Sequence, residues 1–270
     1  MHGSLVTGGV TAKIVLWHFP ISHYNEKARW ALDWKRIPHV RRVLSFSYLP
    51  RALWATGRGT LPILFIDGQA IGDSTRIIEA LETLQPDPPL YPRDSAARAR
   101  ALELEDFFDE QVGHPVRTAV LGRNFASDPD TVIGALSTGM GATAQRGMRL
   151  AFSVFGPFYK RRHKIHDTSV EAAPRMVRAG LDRIAEELQP SGYLVGDRFS
   201  VADLTAAALL APIVMPPEFP YPPPERARRA IAEVGESFGR HPALEWVAEM
   251  YRRHRGSSAE IAARPRAASA

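Results

Sequence analysis

The sequence predicts an α/β domain with the order βαβ-ββα, followed by an all-helical domain. Before residue 85, short runs of β-type composition alternate with helical runs, whereas beyond residue 95 the apolar residues repeat every 3.6 positions. A proline-rich segment, QPDPPLYPRD, occupies residues 85–94 between the two regions. Because closely spaced prolines exclude both a helix interior and a central strand, we expect the domain boundary in this segment.

The first region contains four predicted strands and two predicted helices. The residue pattern predicts strands at 13–17, 39–44, 62–66 and 69–71, and helices at 24–35 and 74–84. This gives β-α-β, a loop, and then β-β-α. Asp67 and Gly68 separate the last two strands, and because both residue types accept positive φ, they predict a tight hairpin.

Helices account for the second region. The predicted spans are 96–120, 129–160, 169–188, 201–211, 226–238 and 242–254. Gly139, Gly141 and Gly147 weaken the second helix and favour a break within it. The predicted organisation is a flexible N-terminus at 1–12, the α/β domain at 13–86, a linker at 87–94, the helical domain at 95–254 and a flexible tail at 255–270.

The composition excludes several kinds of site. The 270 residues include no cysteine, so the chain has no disulfide, no thiolate metal ligand and no catalytic thiol. The net charge is +5, but the basic residues are scattered over helical faces, which argues against a nucleic-acid partner. His163 and His166 lie among basic residues without a carboxylate pair, so we predict no metal site.

The sequence also lacks the patterns of a membrane or secreted protein. Its longest apolar stretch, 204–215, is too short to span a bilayer. The amino terminus has no basic segment followed by an apolar run and a cleavage site. We therefore expect a cytoplasmic protein with no membrane partner.

Ser22 follows the first strand and a turn containing Pro20, at the start of the first helix. A helix start collects unpaired N–H groups and the positive end of the helix dipole, so it favours an anion such as a bound thiolate. The alternative is that Ser22 is an N-cap whose oxygen accepts from the Asn25 N–H. We interpret His18 and His23 as turn or surface residues, because the sequence shows no partner for either.

Two further features follow in the same region. Pro62 stands at the first residue of a strand, where a cis bond would turn the Leu61 backbone outward to pair with a peptide. Asp73 and Ser74 start the helix after the hairpin, and this helix start forms an anion site suited to a carboxylate. Each feature alone is typical of turn and cap chemistry, so their order along the chain carries the information.

That order resembles the cytosolic glutathione transferases, from about Lys13 to Arg255. The segment GDRFSVAD at 196–203 is similar to the helix-start folding motif of this family. There we expect Ser200 and Asp203 to form a capping box, with Phe199 packed on Leu204. The resemblance implies a thioredoxin-like first domain, an all-helical second domain and an active site between them.

The resemblance also implies roles for individual residues. Ser22 occupies the position of the catalytic serine or cysteine and would hydrogen-bond the glutathione sulfur, with Tyr24 as the reserve candidate. The Leu61 backbone, preceding Pro62, would pair with the cysteinyl part of glutathione. The γ-glutamyl end would be held by two residues, Asp73 and Ser74. The position of the tyrosine used by other family classes holds His18, which disfavours a tyrosine mechanism.

The chain departs from the family in two places. Thr60 stands where many relatives carry a lysine that meets the glycyl carboxylate, and Arg58 is the candidate substitute. The second domain has extra material at about 123–173, including an aromatic stripe of Phe152, Phe155, Phe158 and Tyr159. The helical spacing of this stripe favours core packing over a pocket wall.

The function implied by the resemblance is that of a glutathione transferase, active in detoxification as a homodimer. Glutathione would be the co-substrate, without a metal, and its thiolate would attack a small hydrophobic electrophile. Two alternatives stay open, because fold does not determine function. The chain could be a catalytically silent relative used for binding or assembly, or a glutathione-dependent lyase, isomerase or dehalogenase.

Overall fold

The computed structural model describes residues 12–44 and 48–262. Its first domain has the predicted thioredoxin-like order, with one added helix. The elements are β1 Ile14–His18, α1 His23–Trp34, β2 Val40–Val43, α2 Leu49–Thr56, β3 Ile63–Ile66, β4 Gln69–Gly72 and α3 Ser74–Leu84. The prediction of a loop between the second and third strands was incomplete, because α2 lies within it.

The four strands form one mixed sheet in the order β2-β1-β3-β4. β1 and β2 are parallel, as expected for strands joined through a helix, whereas β1–β3 and β3–β4 are antiparallel. The predicted hairpin between β3 and β4 is confirmed. Asp67 and Gly68 both have positive φ, 50° and 88°, as a two-residue turn of this kind requires.

The second domain is helical throughout. Its helices are α4 Ser95–Phe107, α5 Gly113–Leu121, α6 Asn124–Ser127, α7 Pro129–Leu136, α8 Ala142–Arg162, α9 Asp167–Glu187, α10 Val201–Val214, α11 Glu225–Glu236 and α12 Pro242–His254. A π-helical turn, Phe108–Val112, separates α4 from α5, so the predicted helix 96–120 is interrupted. The predicted helix 129–160 is split at Gly139, whose φ is 74°.

Helix α10 forms the centre of the second domain and is buried on nearly every side. Asp203 fixes its start: the fully buried carboxylate accepts from the Ser200 N–H, the Ser200 hydroxyl and the Leu194 N–H, each at 2.8 Å. Burial raises the pKa of Asp203 to about 6. Within the described part of the chain, neither α10 nor any other helix is long and apolar enough to cross a membrane.

Phe199, the aromatic residue of the same motif, packs across the domain boundary. Its ring lies 5.6 Å from that of Trp30 and 4.8 Å from that of Trp34, both on α1, and it stacks on His254 at 4.5 Å. The motif therefore joins the start of α10 to the first domain as well as capping the helix.

The segment after α12 also packs on the first domain, which corrects the prediction of a flexible tail from residue 255. Arg255 is buried and forms ion pairs with Glu26 at 2.6 Å and Asp33 at 2.8 Å. Further on, Glu260 forms a parallel bridge with His39, the residue before β2. The remainder of the predicted tail from 263, and residues 1–11 of the predicted flexible N-terminus, lie outside the described residues.

Candidate active site

A cleft of about 380 Å³ lies between the two domains. Its first-domain wall brings together all of the residues that the sequence singled out, namely Ser22, Tyr24, Thr60, Leu61, Pro62, Asp73 and Ser74. Its second-domain wall combines apolar side chains with a few charged and aromatic groups from α5, the π-helical turn and α8. Positions up to 52 residues apart in sequence thus converge on one surface.

Ser22 precedes α1, but its side chain makes no hydrogen bond to a backbone N–H of the helix. The predicted cap on the Asn25 N–H is therefore wrong. Instead, the Ser22 Oγ accepts from the Asn25 side-chain amide at 2.8 Å, and the Asn25 Oδ1 accepts from the Phe19 N–H at 2.9 Å. Because Asn25 supplies the donor, the Ser22 proton stays free to be donated, and among the described residues it has no acceptor.

The backbone before β3 presents unused polar groups to the same cleft. The Leu61–Pro62 peptide bond is cis. Leu61 precedes the first ladder pair of β3, and within the described part of the chain its N–H and C=O have no hydrogen-bond partner. An extended peptide could therefore pair with them, as the sequence interpretation requires.

Asp73 and Ser74 stand at the start of α3, as predicted. Asp73 is the N-cap, with φ of 80°, and its Oδ1 accepts from the Thr75 N–H at 3.1 Å. Ser74 is buried at the first helical position and lines the cleft. Arg58 lies 3.6 Å from the Asp73 carboxylate, with both side chains about half exposed, and it is not part of the cleft wall.

Tyr24 contributes its ring to the cleft, while its hydroxyl is already engaged. That hydroxyl donates to the Asp109 backbone oxygen at 2.6 Å, so it joins α1 to the π-helical turn. The ring packs so closely on Gly113 that a Cβ at that position would collide with the hydroxyl. Burial raises the pKa of Tyr24, which keeps the hydroxyl protonated.

The interpretation of His18 and His23 as turn or surface residues was wrong, because both are buried. The His18 Nδ1 accepts from Arg29 at 3.0 Å, and burial together with that guanidinium lowers the pKa of His18 to about 2. The His23 Nε2 bonds the Gly113 oxygen at 2.9 Å, and burial lowers its pKa well below the usual value. Both imidazoles are therefore neutral structural groups near pH 7.

The predicted aromatic stripe of α8 divides between core and cleft. Phe152 stacks on Phe125 at 6.0 Å inside the helical domain, which fits the core interpretation. Phe155 and Tyr159 line the cleft, so for them the pocket-wall alternative describes the structure. Phe158 is 50% exposed and belongs to neither group.

Several charged groups of the second-domain wall were not anticipated. The Arg117 Nη1 donates to the Nδ1 atoms of His114 at 3.3 Å and His163 at 2.9 Å. Arg162, at the end of α8, donates to the Gly59 backbone oxygen across the cleft mouth. These contacts join α5 to α8 and α8 to the first domain, so no sequence spacing could have indicated them.

His163 and His166, the two histidines considered as metal ligands, are separate, and each already forms a hydrogen bond. His163 accepts from Arg117, whereas the His166 Nδ1 caps α9 by accepting from the Ser169 N–H at 3.2 Å. Over residues 12–44 and 48–262, no group of three or more His, Asp or Glu side chains is arranged to hold a metal ion.

A buried ionic cluster joins the domains next to the cleft. Lys27 of α1 has no exposed surface and contacts Glu105 at 2.7 Å and Asp109 at 2.6 Å. The Thr75 hydroxyl completes the cluster, 2.9 Å from the Lys27 Nζ. Although burial opposes its charge, the two carboxylates raise the pKa of Lys27, so the lysine stays protonated.

Known proteins share this architecture. FtsZ-localized protein A from Caulobacter vibrioides is 25% identical over 203 residues, which is 73% of this chain and 76% of the relative. The structure of beta-etherase LigF from Sphingobium sp. strain SYK-6 has a TM-score of 0.57 at 21% identity, covering 88% of this chain and 99% of that one. The structure of a glutathione S-transferase from Methylobacillus flagellatus with glutathione bound has a TM-score of 0.54 at 18% identity. The match covers 87% of this chain and 99% of that one. At these identities the two solved structures show a common fold.

The family models match both domains of the chain. The model of the glutathione S-transferase N-terminal domain matches residues 16–89, which include all seven predicted site residues. The model of the glutathione S-transferase C-terminal domain matches residues 148–235, from within α8 to within α11. Since both domain types occur in family order on the fold that the family shares, this chain belongs to the glutathione S-transferase superfamily.

Proposed function

We propose that the chain binds glutathione in the interdomain cleft and stabilises its thiolate for attack on a small hydrophobic electrophile. The observation that carries this proposal is the hydrogen bonding of the Ser22 hydroxyl. Asn25 occupies its oxygen as an acceptor, which leaves the hydroxyl proton for a ligand, and the hydroxyl lines the same cleft as Leu61 and Ser74. Glutathione bound to the similar structure from Methylobacillus flagellatus supports the choice of ligand.

In this proposal the tripeptide lies along the first-domain wall. The Leu61 backbone, which lines the cleft next to Pro62, pairs with the cysteinyl residue. Asp73 holds the γ-glutamyl amino group, while Ser74 and the N–H groups at the start of α3 hold its carboxylate. Tyr24 contributes ring contact, because its hydroxyl donates to Asp109.

The glycyl carboxylate needs a cation that the family lysine position does not supply, because this chain has Thr60 there. Arg58 lies beside Asp73 instead. Arg162 lines the cleft and donates to Gly59, directly before Thr60, where the far end of a tripeptide anchored at Ser74 and Leu61 would arrive. We therefore assign the glycyl carboxylate to Arg162.

The reaction requires only that the thiolate is stabilised and that its sulfur is aligned with the electrophilic carbon. The glutathione thiol releases its proton to solvent, and the Ser22 hydroxyl donates a hydrogen bond to the sulfur while keeping its own proton. The sulfur lone pair forms a bond to the electrophilic carbon. Either a leaving group departs with its bonding electrons, or an activated double bond takes up the electron pair and then a proton from water. Lowering the thiol pKa by one unit requires about 1.4 kcal/mol, which a charge-assisted hydrogen bond can supply.

The experiment combines glutathione binding with conjugation. We expect calorimetry to detect glutathione binding to the wild-type protein, and Ser22→Ala to lower kcat/KM for conjugation of a chlorodinitrobenzene by about 100-fold, the effect of removing one preorganised donor. Glutathione affinity should change little, whereas the pH at which the bound thiol ionises should rise. Ser237→Ala, which alters an exposed serine of α11's C-terminal end, is the matched control. Unchanged turnover in Ser22→Ala would remove Ser22 from the mechanism.

Two other functions stay open for this fold. Similarity to FtsZ-localized protein A, a protein named for its location, favours a silent binding or assembly role. That role would stand if the wild-type protein binds no glutathione. Similarity to a beta-etherase favours a glutathione-dependent lyase, isomerase or dehalogenase, which a substrate panel would separate from a transferase. Homodimerisation, a cytoplasmic location and a part in detoxification stay predictions.

A further inference from the structure

The second-domain wall of the cleft holds a guanidinium with unused hydrogen-bond donors. Both hydrogen bonds of Arg117, to His114 and His163, come from Nη1. Among the described residues, no acceptor lies on its Nε or Nη2, and no carboxylate oxygen lies within 4 Å of it. The Nε–Nη2 edge of a guanidinium presents two parallel donors that match the two oxygens of a carboxylate.

The groups that hold Arg117 do not neutralise it. Since a guanidinium only donates, both imidazoles accept through Nδ1 and are neutral, with their own proton on Nε2. Burial, and next the Arg117 charge, lower the pKa of His163 to about 3. The guanidinium also lies over the Tyr24 ring at 5.7 Å, which orients it without adding a negative charge.

The surroundings of Arg117 are otherwise suited to an apolar molecule. The same wall is formed by apolar side chains from several helices, including Val120, Leu121, Leu136, Phe155 and Ile231. An unpaired cation in such surroundings is costly unless a ligand pairs with it.

The other charges of the cleft are placed differently. Asp109 is paired with Lys27 at 2.6 Å, and Glu110 is exposed on the π-helical turn. Arg162 lies at the mouth against Gly59, on the glutathione side. Arg117 is therefore the cation available to the second substrate.

We propose that the electrophile taken by this cleft has an apolar body and a carboxylate group, and that Arg117 binds the carboxylate through its Nε–Nη2 edge. The inference rests on the proposed function, because it names the class of acceptor that the glutathione thiolate attacks. Arg117 is thus a specificity-determining residue, whereas Ser22 acts on the sulfur.

The test compares two acceptors that share the reacting carbon and the leaving chloride, a chloronitrobenzoate and the matching chloronitrobenzamide. At saturating glutathione, the wild-type protein should prefer the acid. Arg117→Gln should lower the acid-to-amide ratio of kcat/KM on the order of tenfold, because it removes a charge-assisted pair. Arg117→Lys keeps the positive charge but loses the two parallel donors of the guanidinium. Its acid-to-amide ratio should therefore lie between those of the wild type and Arg117→Gln. Arg161→Gln, an exposed neighbour on α8, is the control and should keep the wild-type ratio.

A rise in the KM for glutathione with an unchanged ratio would overturn the proposal, and so would equal losses on both acceptors. A second measurement separates this inference from the proposed function. Calorimetric titration of each acceptor without glutathione should show tighter binding of the acid, and this difference should disappear in Arg117→Gln. If the wild-type protein turns over neither these two acceptors nor the chlorodinitrobenzene, the proposed function fails. The difference in binding between acid and amide then still tests whether Arg117 binds a carboxylate. Equal binding of acid and amide would overturn this inference.

Discussion

Lys27 and Arg117 are two cations at the same domain interface with opposite surroundings. Lys27 is fully buried and contacts two carboxylates, those of Glu105 and Asp109. Arg117 lines the cleft and contacts two neutral imidazoles. One part of the interface therefore satisfies its charges internally and holds the domains together, whereas the other leaves a charge for a ligand.

The part of the interface whose charges are paired internally, called the paired part below, extends along α1. Arg29 contacts Glu26 at 2.8 Å, and Arg41 contacts Asp33 at 2.6 Å, with Arg255 bonded to both of these carboxylates. Buried charges are tolerated only when paired and hydrogen-bonded, so these groups are expected to affect stability. The cleft groups are expected to affect binding and turnover.

The largest expected effect comes from breaking the paired part. Lys27→Met leaves two carboxylates buried without their cation, and removing one partner of a buried ion pair costs about 3–5 kcal/mol. Urea denaturation should show this loss in the free energy of unfolding. Lys13→Met, at an exposed position, should stay within about 0.5 kcal/mol of the wild type. A similarly small change in Lys27→Met would mean that this cluster does not hold the domains together.

A smaller effect concerns the dependence of the free energy of unfolding on pH. The Arg29 that donates to His18 is itself paired with Glu26, so His18 belongs to the paired part. Its pKa is about 2 in the folded chain, against about 6.5 when unfolded. Below pH 6.5 the unfolded state binds the proton and the folded state does not, so His18 contributes a loss of stability of up to about 1.4 kcal/mol per pH unit as the pH falls toward 4.

The variant His18→Gln should therefore lose stability less steeply with acid than the wild-type chain. The measurement is the free energy of unfolding in urea at a series of pH values between 7 and about 4, the interval in which an unfolded histidine becomes protonated. His166→Gln, at the exposed start of α9, serves as the control. An unchanged slope in His18→Gln would show that this imidazole is not kept neutral by the fold.

The smallest expected effect belongs to the rim of the cleft. Arg162 is exposed, and an exposed ion pair contributes up to about 1 kcal/mol, so Arg162→Gln should raise the glutathione Kd by about fivefold at most. Calorimetry would measure this change, with Arg161→Gln as the control, and stability should not change. A glutathione Kd equal to that of the wild type would mean that another group holds the glycyl end.

The first-domain half of the site was predictable because its signals are local. Ser22 directly precedes α1, Pro62 directly precedes β3, and Ser74 is the first residue of α3. The Asp67–Gly68 pair forms the hairpin that brings β4 and α3 into place. Each signal is contained in a few consecutive residues, and their order supplied the family resemblance.

Helix α2 was missed although it has local signals, since Pro50 stands in its first turn and Gly57 ends it in the left-handed region. It is only eight residues long, and its apolar residues Leu53 and Trp54 are 48% and 83% exposed. Eight residues make only about two helical turns, too few for a repeat of 3.6 residues to be recognised in the sequence.

The second-domain half of the site depends on tertiary contacts, which the sequence pattern does not contain. Arg117 and His163 are 46 residues apart on α5 and α8, and Arg162 meets Gly59 over 103 residues. Nothing in the spacing of these residues predicts that the helices adjoin. The burial of His18 and His23 was missed for a similar reason, since both contact residues far along the chain. The His18 ring lies 5.2 Å from that of Tyr221, and the His23 Nε2 bonds the Gly113 oxygen.

The docking of Arg255 on α1 has a consequence for biosynthesis. Glu26 and Asp33 leave the ribosome 229 and 222 residues before the cation that bonds to both of them. At translation rates of about 5–20 residues per second, this interval lasts on the order of 10–45 s. During that time α1 lacks one of its cationic partners, so the thioredoxin-like domain reaches its final set of ion pairs only after Arg255 has been synthesised.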